Sequence, residues 1–147
     1  MGEKFPQFTL AGSDLSEITN ETIAGRTVIY NIFPSIDTGV CAQSVREFNE
    51  KAAGLSGVSV VCVSADLPFA HQRFCAAEGI ENVLTGSTFR SDFARESGLE
   101  MADGPLAGLL ARAVVVADAE GTVRYVELVD EIGSEPNYEA ALQAAQQ

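Results

Sequence analysis

Residues 27–41 read TVIYNIFPSIDTGVC and join a predicted strand to a predicted helix through a short loop. The first part, residues 27–33, is mostly β-branched or aromatic and stops at Pro34, which is typical of a strand. Apolar side chains then recur at helical spacing over residues 39–53. A strand that is followed closely by a helix is typical of an α/β fold.

Three further runs have the composition of strands. Val58–Ser64 and Ala113–Ala117 are nearly apolar on both faces, which is typical of central strands covered by helices. Residues 123–129 alternate more, and the turn residues 118–121 connect them to the preceding run. This arrangement predicts an antiparallel hairpin made of the last two strands.

Helices are predicted between and after the strands, at Pro68–Glu78, at residues 91–97 and at residues 139–145. Pro68 suits the first turn of its helix, where its missing N–H group is not needed. The order β-α-β-α-(α)-β-β-α predicts the α/β class, with a central mixed sheet flanked by helices.

Composition excludes several classes of protein. The chain has 147 residues, of which 46% are hydrophobic and 20% charged, so we expect one folded domain over residues 1–147. Twenty-one acidic and nine basic residues give a net charge of −12, which repels nucleic-acid phosphates and anionic lipid. We therefore expect no nucleic-acid partner and no membrane association. The N-terminus lacks a signal-peptide pattern, and free thiols persist in a reducing compartment, so we expect a cytoplasmic protein.

The three cysteines and the single histidine have separate surroundings. Cys62 lies inside an apolar strand and is predicted to be a buried core residue. On the second helix, Phe69 and Phe74 share the face predicted to be apolar, whereas Cys75 and His71 fall on the other side. This predicts a partly accessible Cys75 and a solvated His71, with tuning of the Cys75 thiol by His71 as the alternative. The spacing matches no zinc motif, and no metal or cofactor is expected.

Cys41 is the best candidate for a reactive group. It lies in the first turn of a predicted helix, just beyond the carboxyl end of a central strand, where α/β proteins bind ligands. Unpaired N–H groups and the helix dipole stabilise a thiolate there. Pro34 can shield one side of such a pocket, and Thr38 can place a hydroxyl beside the sulfur. A buried structural cysteine at a helix start is the alternative.

The spacing P-x-x-x-T-x-x-C, filled by Pro34, Thr38 and Cys41, is the active-site motif of peroxiredoxins. The longer string NIFPSIDTGVC resembles the thiol peroxidases, the atypical two-cysteine bacterial subfamily. Similar stretches follow in order along nearly the whole chain: SADLPFA at residues 64–70, RFC at 73–75, ADGPL at 102–106, ARAVVV at 111–116 and LVDEI at 128–132.

The resemblance implies a thioredoxin-like fold and a peroxidase that reduces hydrogen peroxide and alkyl or lipid hydroperoxides. Cys41 would be the peroxidatic cysteine, whose thiolate becomes a sulfenic acid. Thr38 would hydrogen-bond the sulfur and the peroxide, and Arg112 would stabilise the thiolate and the developing charge.

The resemblance also implies how the enzyme is reset. In thiol peroxidases the cysteine 34 residues after the peroxidatic one resolves the sulfenic acid, and Cys75 occupies that position. An intramolecular disulfide between Cys41 and Cys75 would require local unwinding after Thr38 and around Cys75, because the Cα atoms must come within about 7 Å. Thioredoxin would reduce this disulfide by exchange, and members of the subfamily form homodimers.

Two other classes of function are alternatives. A Cys–His hydrolase would need His71 as the base for Cys41, but no residue pattern marks His71 as oriented for that role. Tyrosine phosphatase chemistry needs C-x5-R, whereas Cys41 and Arg46 give C-x4-R. A non-enzymatic thioredoxin-like module for redox sensing or binding is the remaining alternative, and it would not require Thr38, Arg112 and Cys75 together.

Overall fold

The computed structural model describes residues 2–102, 104–129 and 134–146. Its seven strands are β1 Thr9–Gly12, β2 Glu17–Thr19, β3 Thr27–Ile32, β4 Val58–Ser64, β5 Leu84–Ser87, β6 Ala113–Ala117 and β7 Val123–Leu128. Its four helices are α1 Gly39–Ala52, α2 Pro68–Glu78, α3 Phe93–Glu96 and α4 Tyr138–Ala145. Asp103 and residues 130–132, which belong to two of the sequence motifs, lie outside the described residues.

The strands form a mixed sheet in the order β2-β1-β5-β4-β3-β6-β7. The central strands β3, β4 and β5 run parallel, and the remaining neighbours pair antiparallel. The mixed sheet, the predicted α/β class and the antiparallel β6–β7 hairpin are therefore confirmed. Because β6 runs opposite to β3, its first residue, Ala113, pairs with Ile32 at the end of β3. The chain just before β6 is thus brought to the carboxyl edge of the parallel strands.

Two apolar clusters cover the two faces of the sheet, because side chains alternate along each strand. One cluster centres on aromatic residues contributed by the N-terminal segment, β3 and α3. Phe5 stacks on Tyr30 with ring centroids 3.9 Å apart, and Phe8 and Phe93 pack around this pair.

The other face is covered by α1 and α4, with part of α2. Phe48 of α1 is fully buried here, and its ring lies edge-on to Tyr138 at 5.2 Å. Cys41 and Cys62 belong to this cluster, and Cys75 packs against it. All three thiols therefore lie on one side of the sheet.

Most predicted elements are present, and the differences concern short segments. The third helix is shorter than residues 91–97, and the last helix begins one residue early, where the Asn137 side chain accepts a hydrogen bond from the Ala140 amide at 3.0 Å. The sequence analysis missed β1, β2 and β5, which have only three or four residues each. Such short strands carry too few alternating positions to produce a pattern.

Candidate active site

The carboxyl edge of the parallel strands gathers three chain segments. The loop after β3 leads into α1, the connection after β4 leads into α2, and the segment after β5 lies beside them. The Thr88 amide donates to the Ser64 carbonyl at 2.9 Å, which ties the ends of β5 and β4 together. This edge is where the sequence analysis placed the reactive thiol.

Cys41 is the third residue of α1, and its side chain is 0% exposed. The Arg112 guanidinium donates a hydrogen bond from Nη2 to the Cys41 sulfur at 3.3 Å. Arg112 is itself only 1% exposed, so its charge acts on the sulfur with little screening by water. The pair joins residues 71 positions apart, and the antiparallel register of β3 and β6 accounts for the contact.

Thr38 and Pro34 lie in the loop that leads to the same thiol. Thr38 is the N-cap of α1, with extended backbone angles, and its hydroxyl donates to the Ser35 carbonyl at 3.1 Å. Thr38 is exposed to solvent. Pro34 is buried at the start of the loop and has no N–H group to donate. The predicted contact between the Thr38 hydroxyl and the sulfur stays a prediction.

Asp66 accepts hydrogen bonds from the loop before α1, and this role was not predicted from the sequence. The Ser35 hydroxyl donates to Oδ1 at 2.8 Å, and the Ile36 amide and the Ser64 hydroxyl donate to Oδ2 at 2.7 and 2.6 Å. Burial acts to raise the pKa of Asp66, but interactions with His71, Ser64, Ile36 and Ser35 outweigh burial and hold that pKa well below its ordinary value. The available signal was a carboxylate placed just after a central strand, within the SADLPFA stretch.

The prediction of a solvated His71 is wrong, because its side chain is 0% exposed. Its Nε2 lies 2.8 Å from the Ser64 hydroxyl and 3.8 Å from Asp66 Oδ2. The predicted apolar face of α2 is only partly right: Ala70 and Phe74 pack against the core, but Pro68 and His71 are the buried residues of the helix, whereas Phe69 is 62% exposed. The polar partners of His71 at the end of β4 outweigh the hydrophobicity of the Phe69 ring.

Cys75 is half-buried, as the sequence analysis predicted, although it reaches this position on the inward side of α2. It lies in the last turn, and its carbonyl accepts the N–H of Gly79, whose φ of 67° ends the helix in the left-handed region. Burial raises the pKa of the Cys75 thiol, and a weaker interaction with Thr85 lowers it.

Cys62 is a fully buried free thiol in β4, as predicted. Burial raises its pKa to about 12, which outweighs the opposite effect of the Asn31 side chain. Asn31 Nδ2 lies 3.7 Å from the Cys62 sulfur and donates to the Ser44 hydroxyl at 3.1 Å. A thiol of this kind is protonated at neutral pH and is a poor nucleophile.

Comparison with known proteins agrees with this geometry. The redoxin family profile matches residues 1–142. A thiol peroxidase of Mycobacterium bovis is 58% identical over 144 residues, which make up 98% of this chain and 87% of the relative. A thiol peroxidase of Corynebacterium glutamicum is 53% identical with the same coverage.

Solved structures show the same fold. A peroxiredoxin-like protein from Aquifex aeolicus superposes with a TM-score of 0.90 at 40% identity, over 99% of this chain and 85% of that one. A thiol peroxidase from Chromobacterium violaceum, 21% identical, superposes with a TM-score of 0.86 over 99% of this chain and 85% of that one.

The chain therefore belongs to the redoxin family and, within it, to the thiol peroxidases, which are oxidoreductases of the peroxiredoxin class. The thioredoxin-like fold and the enzymatic function implied by the sequence are confirmed. The hydrolase and the non-enzymatic module are set aside accordingly. In the part of the chain that the structure describes, no helix is long and apolar enough to cross a bilayer.

Proposed function

We propose that Cys41 is the peroxidatic cysteine of this enzyme. The observation that carries the proposal is the buried contact of 3.3 Å between the Arg112 guanidinium and the Cys41 sulfur, at the start of α1. A cation and a helix N-terminus both stabilise a thiolate, which is the nucleophilic form of cysteine.

In the proposed reaction, the Cys41 thiolate attacks the terminal oxygen of hydrogen peroxide or of an alkyl or lipid hydroperoxide. A sulfur–oxygen bond forms as the oxygen–oxygen bond breaks, and Cys41 becomes a sulfenic acid. The departing oxygen takes up a proton and leaves as water or an alcohol. Arg112 stabilises the charge that develops on this oxygen, the Thr38 hydroxyl turns from the Ser35 carbonyl to hydrogen-bond the peroxide, and Pro34 shields one side of the thiol.

Cys75 is the proposed resolving cysteine. Its sulfur attacks the sulfur of the sulfenic acid, a disulfide forms and water leaves. Cys75 lies seven positions after Pro68, which places it about 10 Å along α2 from the start of that helix. Because disulfide bonding requires Cα atoms within about 7 Å, we expect the start of α1 and the end of α2 to unwind locally when the disulfide forms.

A thioredoxin-type dithiol protein is the proposed reductant. Its thiolate attacks the Cys41–Cys75 disulfide, and a second exchange releases both thiols of this chain while the reductant is oxidised to its own disulfide. The names of the thiol peroxidase relatives support a thiol as the electron source. The reducing cytoplasm, where such a reductant is kept reduced, is the proposed location.

A homodimer is the proposed assembly, formed across the active-site side. Three large apolar side chains at this edge support it: Leu67, Phe69 and Phe89 are between 44% and 62% exposed. Sedimentation equilibrium would measure the assembly, and Phe69→Ser should shift it towards the monomer.

Counting thiols tests the peroxidase mechanism. One equivalent of hydrogen peroxide should reduce the free thiols from three to one per chain, with a Cys41–Cys75 linkage found by peptide mapping. Cys62→Ala is the matched control, and it should still lose two thiols. Survival of all three thiols in the wild-type protein would overturn the mechanism.

A further inference from the structure

The Asp66 carboxylate joins the loop that precedes Cys41 to the helix that carries Cys75. Its first arm reaches the loop before α1, through the Ser35 hydroxyl at 2.8 Å and the Ile36 amide at 2.7 Å. The Ser35 oxygen also accepts the Asp37 amide at 3.1 Å, and the Ser35 carbonyl accepts the Thr38 amide at 3.2 Å. One carboxylate therefore fixes the turn that leads into the first turn of α1.

The second arm reaches α2 through Ser64. The Ser64 hydroxyl has one proton, and it donates that proton to Asp66 Oδ2 at 2.6 Å. It must then accept from His71 Nε2 at 2.8 Å, which assigns the ring proton to that nitrogen. His71 is fully buried and lies one turn before Cys75 on the same helix. The carboxylate thus anchors the inward side of α2.

Few other polar groups hold α2 in place. Pro68 and His71 are its buried residues, Ala70, Phe74 and Cys75 pack half-buried against the apolar core, and the ion pairs of α2 with neighbouring segments lie at the surface. Arg73 pairs with Asp37 at 3.0 Å with both side chains more than half exposed, and Arg46 pairs with Glu78 at 2.7 Å with both about one third or more exposed. Exposed pairs of this kind contribute little, so the Asp66 network is the main polar anchor of the helix.

We propose that Asp66 is a positioning residue that couples the loop before Cys41 to the helix that carries Cys75, and that its hydrogen bonds hold both in the peroxide-reactive arrangement. This inference rests on the proposed function, in which both segments unwind to form the disulfide. Weakening the Asp66 network slows the reaction with peroxide, because the loop loses its support. The same change speeds disulfide formation, because α2 is released more readily.

The two arms predict different effects. Asp66→Asn removes the charge and one acceptor, so the peroxide step should slow about tenfold while disulfide formation speeds up several-fold. His71→Leu breaks the α2 arm alone, so it should speed disulfide formation and leave the peroxide step within about twofold of wild type. Ser35→Ala removes the hydroxyl that donates to Asp66 and accepts the Asp37 amide, so it should mainly slow the peroxide step.

Single-turnover experiments separate the two steps. The protein is mixed with one equivalent of hydrogen peroxide in stopped flow, and samples quenched with dimedone or an alkylating agent are analysed by mass for sulfenic acid and disulfide. Asp118→Asn is the matched control, since Asp118 accepts the Glu120 and Thr122 amides in a turn that joins β6 to β7. It should leave both rate constants unchanged while lowering thermal stability.

Opposite changes of the two rate constants in Asp66→Asn would support the coupling, since a merely structural loss would not speed one step. Equal slowing of both steps, or no change in either, would refute it. If Asp66→Asn does not fold, His71→Leu and Ser35→Ala are compared instead. The coupling is refuted if these two variants change the rate constants of the peroxide step and of disulfide formation in the same way. If the wild-type protein forms no Cys41–Cys75 disulfide, both the proposed roles of the two thiols and the coupling are refuted. If the wild-type disulfide forms but the variants have wild-type rate constants, only the coupling is refuted.

Discussion

Replacement of Arg112 by methionine should remove most of the peroxide reactivity of Cys41. The methionine keeps much of the volume of the buried side chain but takes away the donor that lies 3.3 Å from the sulfur. Loss of one positioned donor from a water-excluded active site costs about 2.7–4 kcal/mol of transition-state stabilisation. Since each 1.36 kcal/mol is tenfold in rate, the second-order rate constant should fall by about 100- to 1,000-fold.

The assay is stopped-flow consumption of hydrogen peroxide by the reduced enzyme without any reductant, so that later steps do not contribute. Arg112→Lys keeps the charge but not the planar donor group, and it should give an intermediate rate constant. Arg124→Met is the control, because Arg124 lies on β7 and contacts Asp118 at 3.3 Å on the surface. Thermal unfolding establishes that each variant is folded.

A folded Arg112→Met enzyme with a rate constant within about threefold of wild type, or about 0.7 kcal/mol, would refute this reasoning. The guanidinium would then be a structural partner of the buried sulfur rather than a group that acts on the reacting atoms.

Four other expectations can be checked. Cys75→Ser should keep the first turnover and then stop as a sulfenic acid, detected as a dimedone adduct by mass; undiminished turnover with thioredoxin would argue against resolution by Cys75. Cys62→Ala should lower the free energy of unfolding by about 1 kcal/mol in urea titrations and leave peroxidase activity intact. Phe48→Ala should lower it by about 3–5 kcal/mol, because the ring is fully buried between α1 and α4. Because the pKa of Asp66 is lower in the folded chain than in the unfolded one, its ionised form adds stability above about pH 4 that is lost on further acidification. The difference in the free energy of unfolding between wild type and Asp66→Asn should therefore become smaller between about pH 5 and pH 2. A difference that does not change with pH would contradict the lowered pKa of Asp66.

The central strands and the start of α1 could be predicted because their sequence patterns are local. Strands β3, β4 and β6 are mostly buried on both faces, so each shows a nearly continuous apolar run. The edge of the sheet could not be predicted in the same way. Gly86 of β5 carries no side chain because a Cβ there would lie 2.8 Å from the Leu10 side chain of β1. A close approach between two strands is a tertiary constraint, and it appears in the sequence only as an unremarkable glycine.

The same difference between local patterns and tertiary contacts applies to the residues of the site. The motif that contains Thr38 and Cys41 is contiguous, so the sequence could place it at a helix start. The contact between Cys41 and Arg112 depends on the register of β6 against β3, and only the resemblance to peroxiredoxins pointed to it. Helical periodicity placed Phe69 and His71 on the wrong faces of α2, because the buried position of His71 is set by hydrogen bonds to the end of β4 rather than by hydrophobicity.

The sheet separates the three thiols from the apolar cluster on its opposite face. The thiols, with the helices proposed to unwind partly during the reaction, lie on one face, while the ring stack of Phe5 and Tyr30 lies on the other. The proposed unwinding would therefore disturb one layer while the opposite layer keeps the strands in register. If it occurs, amide exchange in the oxidised enzyme should be faster in α2 and the first turn of α1, and nearly unchanged in β3 and β6. With this division, the proposed opening of the layer that holds the thiols does not require the whole chain to unfold.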